Sequence, residues 1–373
     1  MISEREVLDV REPPGKATGK VAELWKPVEG TNKIVCTACA RYCKIGEGQV
    51  GLCGVRGVHE GKLWLYVYGR VITGHVDPIE KKPVSHHRPG SKIFSIATTG
   101  CNWLCRYCQN ADISQRRKVE GIEVVPEDVV RMTLEQGCQG LAYTYNQPTI
   151  FIEFARDIGM KAREAGLMNI FVSNGYDTPE AVAEMDKFLD CVTVDFKGSG
   201  ETNFVRKFIN IPNADPIFQT ILETRDKTKI HIEITDLIVP QVGDDLEAAR
   251  KLSRWVYDNL GPDCPIHFLR FHPDYKMMEF PWTPVETLEK HCAVAKEAGL
   301  KYVYIGNVSG HPLEHTYCPG CGAIAIKRYG FDITGWYLDK DNKCRKCGYA
   351  LAIFGKLEKT VKDNRFYSVL YHR

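Results

Sequence analysis

Between Thr98 and Asn110 the chain reads TTGCNWLCRYCQN, with Cys101, Cys105 and Cys108 in C-x3-C-x2-C spacing. Three thiolates in one short segment can hold three corners of a cubane 4Fe–4S cluster, whereas an electron-transfer cluster takes four cysteines. One iron is then open to a substrate or a cofactor. Two further cysteine groups flank this one. Cys36, Cys39, Cys43 and Cys53 lie close together among glycines. Four such ligands can close a zinc site or hold a further iron–sulfur cluster, and the spacing leaves both open. Cys318 and Cys321, then Cys344 and Cys347, form two C-x2-C knuckles, each followed by glycine. Glycine lets backbone N–H groups turn toward sulfur, and tetrahedral sulfur ligation is the default for zinc. Zinc is therefore expected there, with iron on the same ligands as the alternative. A ribbon of this kind can bind nucleic acid or protein, or can staple a small domain. Few basic aromatic residues interleave the knuckles, which favours the staple.

The elements that must position these residues begin at Ile93. From there short apolar runs alternate with helical stretches. IFSIATTG, GLAYTY, MNIFVSNG, CVTVDFKG, IHIEITDLIV, PIHFLRFH and YVYIGNV read as strands. PEDVVRMTLEQG has the proline-acid start and glycine stop of a helix, and other helical stretches separate the remaining strands. Such alternation predicts an α/β fold, a partial, open parallel β/α barrel of about six strands. Three parts are expected: a cysteine-rich metal-binding segment over 1–92, irregular with short strand-like pieces, the barrel over 93–310, and a four-cysteine ribbon and tail over 311–373. Polar groups in such folds gather at the C-terminal ends of the strands. That edge holds Thr99, Cys101, Asn146, Gln147, Ser173, Asn174, Asp195, Lys197, Asp236 and His272. The isolated Cys138, Cys191, Cys264 and Cys292 sit in apolar segments and read as small buried hydrophobes.

Composition narrows the function classes. The 373 residues are 44% hydrophobic and 26% charged, and 49 Lys+Arg against 47 Asp+Glu leave a net charge of +2. That balance gives no pull toward nucleic acid or an anionic membrane. No apolar run approaches the ~18 residues of a membrane span. The N-terminus, MISEREVLDVREPP, lacks a signal pattern, so a cytoplasmic protein is expected. Clustered C-x2-C spacings in a cytosolic chain read as metal sites and not as a disulfide framework.

C-x3-C-x2-C with an aromatic, Tyr107, before the last cysteine resembles the signature of radical SAM enzymes. The resemblance implies that the open iron binds S-adenosylmethionine through its amino and carboxylate groups. One electron then cleaves the S–C5′ bond, and the resulting 5′-deoxyadenosyl radical takes hydrogen from a substrate. It runs from about Val76 to Asn307, where VDPIEKKPVSHHRPG followed by GCNWLCRYCQN is similar to the subgroup that includes pyruvate formate-lyase activating enzyme. That subgroup holds the methionine ammonium on a Gly-Gly-Glu-Pro stretch. Here TYNQP matches it, so the resemblance places Tyr145, Asn146 and Gln147 there, with an amide where the carboxylate stands. The subgroup's Asp-Thr-Asn-Gly reads VSNG, which leaves Ser173 or Asn174 to replace the acid. VDFKG matches an Asp-x-Lys, implying Lys197 for the SAM carboxylate and Asp195 for the ribose or amino group. LRFH implies His272 near the adenosine. The whole chain, including AYTYNQPTI and FHPDYKM, resembles the radical SAM member of the AmmeMemoRadiSam trio.

Three functional expectations follow. The first is a radical SAM enzyme acting on an unidentified small molecule or peptide group. The second is an activase that installs a glycyl radical on a partner protein. The third is a non-catalytic zinc-ribbon binding protein. The resemblance implies a low-potential electron donor as partner; a membrane or nucleic acid is not expected. His86, His87, Asn110, Asp236, Asp274, Tyr275 and Asn307 are the candidates to face a substrate, and the His-Pro-rich approach could form part of a lid.

Overall fold

The computed structural model describes Leu8–Asp9, residues 19–358 and residues 367–371. Apart from Leu8–Asp9, the N-terminal stretch read for a signal lies outside the described residues. Its centre is one sheet. Strand β1 spans Thr73–Pro78, β2 Lys92–Ala97, β3 Gly140–Tyr143, β4 Met168–Ser173, β5 Cys191–Lys197, β6 His231–Ile238, β7 Ile266–Arg270, β8 Val303–Gly306 and β9 Tyr367–Tyr371. The order across the sheet is β8-β7-β6-β5-β4-β3-β2-β1-β9. Strands β2 to β8 are parallel, each paired with the next, as in Phe94↔Leu141 and Val194↔Ile234. The linear order leaves the barrel open. The parallel strands read as near-continuous apolar runs because both faces are covered. In β3 every residue is buried.

Six helices return the chain between these strands: α1 (Pro126–Glu135), α2 (Ile152–Glu164), α3 (Pro179–Met185), α4 (Asp215–Lys227), α5 (Leu246–Leu260) and α6 (Val285–Glu297). Their starts are written in the sequence. Thr178 caps α3 by accepting from the Ala181 N–H, and Asp245 caps α5 by accepting from the Glu247 and Ala248 N–H groups. Helix α5 buries Ala249, Leu252, Ser253 and Val256, the i, i+3, i+4, i+7 stripe of an amphipathic helix.

The flanking parts are less separate than their sequences suggest. The stretch read as irregular before residue 92 supplies β1, which runs antiparallel to β2 with Phe94 opposite Val76. The tail returns as β9 and pairs antiparallel with β1. Buried Arg56 carries the cysteine-rich segment onto α2, pairing with Glu153 and donating from Nε to the Ile150 carbonyl at 2.7 Å. The C-terminal ribbon packs a small apolar cluster, with Ala325, Ile326 and Leu338, against Tyr302 and Tyr304 beside β8. Cys138, Cys191, Cys264 and Cys292 are all buried. Among the described residues no helix is long and apolar enough to cross a membrane.

Candidate active site

The three-cysteine loop leaves β2 at the C-terminal edge of the sheet. Gly100 turns it with φ +87°, and a Cβ there would lie 2.3 Å from the Cys53 carbonyl oxygen, so only glycine permits the approach. The loop is then pinned. Leu104 N–H donates to the Ile209 carbonyl at 3.0 Å and Arg106 N–H to the Phe208 carbonyl at 2.9 Å. Tyr107 is buried, stacked on Phe204 and edge-on to Phe271.

Burial pushes all three thiols up, Cys101 to about 11. A thiol held protonated in this way ionises once a metal cation supplies the missing positive charge. Among the described residues these three sulfurs do not all fall within 4.8 Å of one another, so they do not form the cage of a single ion. A cubane cluster spreads its thiolates wider, and the donor set fits it. The four ribbon sulfurs, in contrast, do all lie within 4.8 Å. Cys318 and Cys347 are 3.5 Å apart and Cys321 and Cys344 3.8 Å, the spacing of tetrahedral ligation around one ion.

Cys101, Cys105 and Cys108 open onto a cavity of about 440 Å³, within the range of small-molecule sites. Tyr107, Asn110, Tyr145, Asn146, Gln147, Ser173, Asn174, Asp195, Lys197 and Asn307 also line it. The strand ends thus bring together most of the residues singled out in the sequence. Tyr145 and Asn307 hold positive φ, +68° and +62°, which for non-glycine residues is strain of the sort found at binding sites. Lys197 Nζ contacts Asp195 Oδ2 at 2.6 Å, and Asp195 Oδ1 accepts from Thr235 Oγ1 at 2.9 Å. These two groups, given separate ligand contacts by the resemblance, form a pair. Asn146 donates from Nδ2 to the Thr98 and Gly100 carbonyls, tying β3 to the cysteine loop. Its Oδ1 is buried without a partner.

Gln147 is committed to the protein. Its Nε2 donates to Thr149, Ser173 and Asp177, and its Oε1 accepts from the Asn174 N–H at 2.8 Å. The carboxylate missing from TYNQP is present one layer back as Asp177. It accepts from Gln147, Thr149 and Ser173, and burial pushes its carboxyl up to about 6 against those hydrogen bonds.

Several residues expected at the cofactor, the substrate or the strand-end edge do not line this cavity. Buried Asp236 accepts from Ser199 N and Oγ at 2.8 and 2.7 Å, which holds the turn after β5. His272 packs against Trp282, and Thr99 donates to the Lys118 carbonyl. Asp274 accepts from the Tyr275 N–H in the loop beside Arg106. His87 stacks on His231. His86 is buried between the Ala352 carbonyl and the Tyr304 hydroxyl, 2.7 Å from each. None of these is among the residues lining the cavity.

Other residues on the wall were not singled out in the sequence. Lys82 is buried against Asp77 at 2.6 Å, and Tyr145 donates to the same carboxylate at 2.5 Å. Arg328 reaches across from the ribbon to the Ser85 carbonyl and Thr316 Oγ1. Asp177 lies four residues beyond the end of β4, and no motif marked it. Arg328 comes from another part of the chain, and spacing alone gave no signal for it.

The radical SAM superfamily model matches residues 95–256. An uncharacterized protein of Methanocaldococcus jannaschii is 41% identical over 325 residues, covering 86% of this chain and 96% of that protein. The chain belongs to the radical SAM superfamily. Among solved structures, a domain of pyruvate-formate lyase-activating enzyme from Bacteroides vulgatus is similar at 18% identity and a TM-score of 0.39. It covers 45% of this chain and 99% of that one. A radical SAM methyltransferase from Sphaerobacter thermophilus is similar at 12% identity and a TM-score of 0.45, covering 61% and 70%. Likenesses of that degree say nothing about the substrate. Membership places this chain among radical SAM enzymes, a family that uses a 4Fe–4S cluster and SAM.

Proposed function

We propose that this radical SAM enzyme holds its cluster on Cys101, Cys105 and Cys108 and its SAM along the ends of β3, β4 and β5. The observation that carries the reading is the placement of the three thiols on one cavity wall with Asn146, Ser173 and the Asp195–Lys197 pair. When bound, the reduced cluster and SAM supply homolysis of the S–C5′ bond and a carbon radical that takes hydrogen from a substrate. The protein supplies the rest. Lys197 offers a cation to the SAM carboxylate once it turns from Asp195, leaving Asp195 for a hydroxyl or ammonium. Asn146 offers its unpartnered oxygen to an N–H or O–H of the cofactor. Gln147, whose side-chain polar groups are spent on Thr149, Ser173, Asp177 and the Asn174 N–H, holds the strand ends in place together with Asp177.

A compact substrate fits this cavity better than a protein loop. Arg328, Glu314 and Gly330 from the ribbon wall it on one side, and Lys82 and Ser85 from the approach to β2 wall it on another. A radical needs such enclosure to avoid quenching by solvent. A glycyl-radical activase remains the second reading, on the subgroup resemblance of the core.

The test is SAM cleavage by anaerobically reconstituted protein after reduction. The expected result is 5′-deoxyadenosine from the wild type and none from a Cys101/Cys105/Cys108→Ala triple variant. Iron bound without cleavage in the wild type would overturn the reading. A glycine-centred EPR signal on a partner protein would replace the first substrate reading with the second.

A further inference from the structure

The four N-terminal cysteines are arranged differently from the four in the ribbon. Cys36, Cys39 and Cys53 are buried and Cys43 is half-buried. All four line one small void, together with Arg41, Arg56, Asn102 and Ile150. Yet among the described residues no three of their sulfurs lie within 4.8 Å of one another. A single zinc or iron ion holds four sulfurs at about 2.3 Å, which brings every pair to about 3.8 Å. The ribbon sulfurs meet that spacing and the N-terminal ones do not. The N-terminal group shares its open spacing with the central three cysteines. Four thiols spread around a void suit a ligand with volume of its own. Arg41 adds a positive charge to the wall, while Arg56 is spent on Glu153.

The position of this void is the second observation. Gly100 packs on the Cys53 carbonyl, and Arg41 donates from Nε to the Asn102 carbonyl at 2.9 Å. Gly100 and Asn102 are the two chain neighbours of Cys101. On the other side, Ala40 N–H donates to the Tyr176 carbonyl, and Cys39 forms an isolated bridge with Asp177. The N-terminal cysteine loop therefore rests directly on the loop of the central site.

We propose that Cys36, Cys39, Cys43 and Cys53 hold a cubane iron–sulfur cluster that relays electrons to the central site. All four ligands come from the protein, so no iron is open to a substrate and the cluster's work is electron transfer. A reduced low-potential carrier of the ferredoxin or flavodoxin class gives up one electron and leaves oxidised by one. The N-terminal cluster gains that electron, passes it to the central site and returns to its starting state. No bond is made or broken at the N-terminal cluster. The relay rests on the radical SAM reading above; the occupancy of the four cysteines does not.

The experiment uses full-length protein, purified and reconstituted anaerobically, with iron, sulfide and zinc measured beside low-temperature EPR. The Cys101/Cys105/Cys108→Ala variant is expected to keep about four irons and a reducible cluster signal, with about one zinc. A Cys36→Ser/Cys39→Ser variant is expected to lose that second signal and to keep the central one. Its SAM cleavage should persist with dithionite and fall roughly tenfold or more with a reduced flavodoxin as donor. If the double variant does not fold, Cys43→Ser at the half-buried ligand is expected to shift or remove the same EPR signal. Two zincs and no iron in the triple-alanine variant would overturn the cluster while leaving the radical SAM reading intact. Equal rates with the protein donor would overturn the relay. Absence of iron from the wild type would overturn both readings together.

Discussion

A single amide shows how the strand ends around this cavity are held. Gln147 stands where the subgroup it resembles carries a glutamate, and all of its hydrogen-bonding groups are used inside the protein. The reason is Asp177, whose Oδ1 lies 2.9 Å from Gln147 Nε2. A glutamate at 147 would put two carboxylates in contact at a buried position, where like charges cannot both ionise. Gln147→Glu is therefore expected to destabilise the protein by roughly 1–3 kcal/mol, the cost of losing a buried donor. Adding Asp177→Asn should recover most of that loss, because the amide restores a donor to the glutamate. Melting temperatures of the two single variants and the double variant, as a cycle, check this. Additive losses would show that the two positions do not couple. The cysteine groups were legible as metal ligands from their spacing, although the N-terminal spacing left zinc and a cluster both open. Asp177 was not legible, because its role depends on a hydrogen bond from Gln147, in the loop after β3 and 30 residues earlier.

At the level of elements, the parallel strands were legible as apolar runs between helices, and the structure has seven of them where about six were expected. Strands β1 and β9 were harder to see. Thr73–Pro78 contains a glycine, a histidine and an aspartate and ends in proline, so no alternation marks it. Its place is decided by pairing with β2. The ribbon was legible as a metal module, but not as a wall of the cavity. It docks through a short exchange: Arg88 N–H donates to the Phe354 carbonyl and Phe354 N–H to the His86 carbonyl, both at 2.7 Å. Phe354 is ten residues from Cys344, so this docking segment depends on the fold that the knuckles close. The knuckles are expected to hold one zinc. A Cys344→Ser/Cys347→Ser variant should lose that metal. Hydrogen exchange should then rise at residues 85–88 and 352–354, while β2 and β3 stay protected. Unchanged exchange at 85–88 would mean that the ribbon docks without its metal.

Over the whole molecule, one buried histidine joins three parts. His86 leaves the approach to β2, and its own N–H is accepted by Glu233 of β6 at 2.8 Å. Its ring lies between Ala352 of the ribbon segment and Tyr304 of β8. Burial holds the imidazole down to about 3, with nearby His231 and Arg328 acting in the same direction and Glu233 opposing them. A neutral ring serves both contacts, one nitrogen donating to the Ala352 carbonyl and the other accepting from the Tyr304 hydroxyl. The unfolded chain takes up this proton near the ordinary value of about 6.5. Between that value and about 3 the unfolded state binds more protons than the folded one. Stability is therefore complete above about 6.5 and falls as the pH drops below it, with a slope of up to about 1.4 kcal/mol per pH unit from this one group. Ribbon thiolates also release metal in acid, so the acid sensitivity of the wild type alone would not isolate the histidine. A His86→Gln variant keeps a donor and an acceptor but does not titrate. It should start less stable at pH 7, yet lose less stability between pH 7 and pH 5 than the wild type in urea unfolding at matched metal content. Parallel losses in the two proteins would remove His86 from the linkage, leaving the acid sensitivity to other groups, the ribbon thiolates first among them.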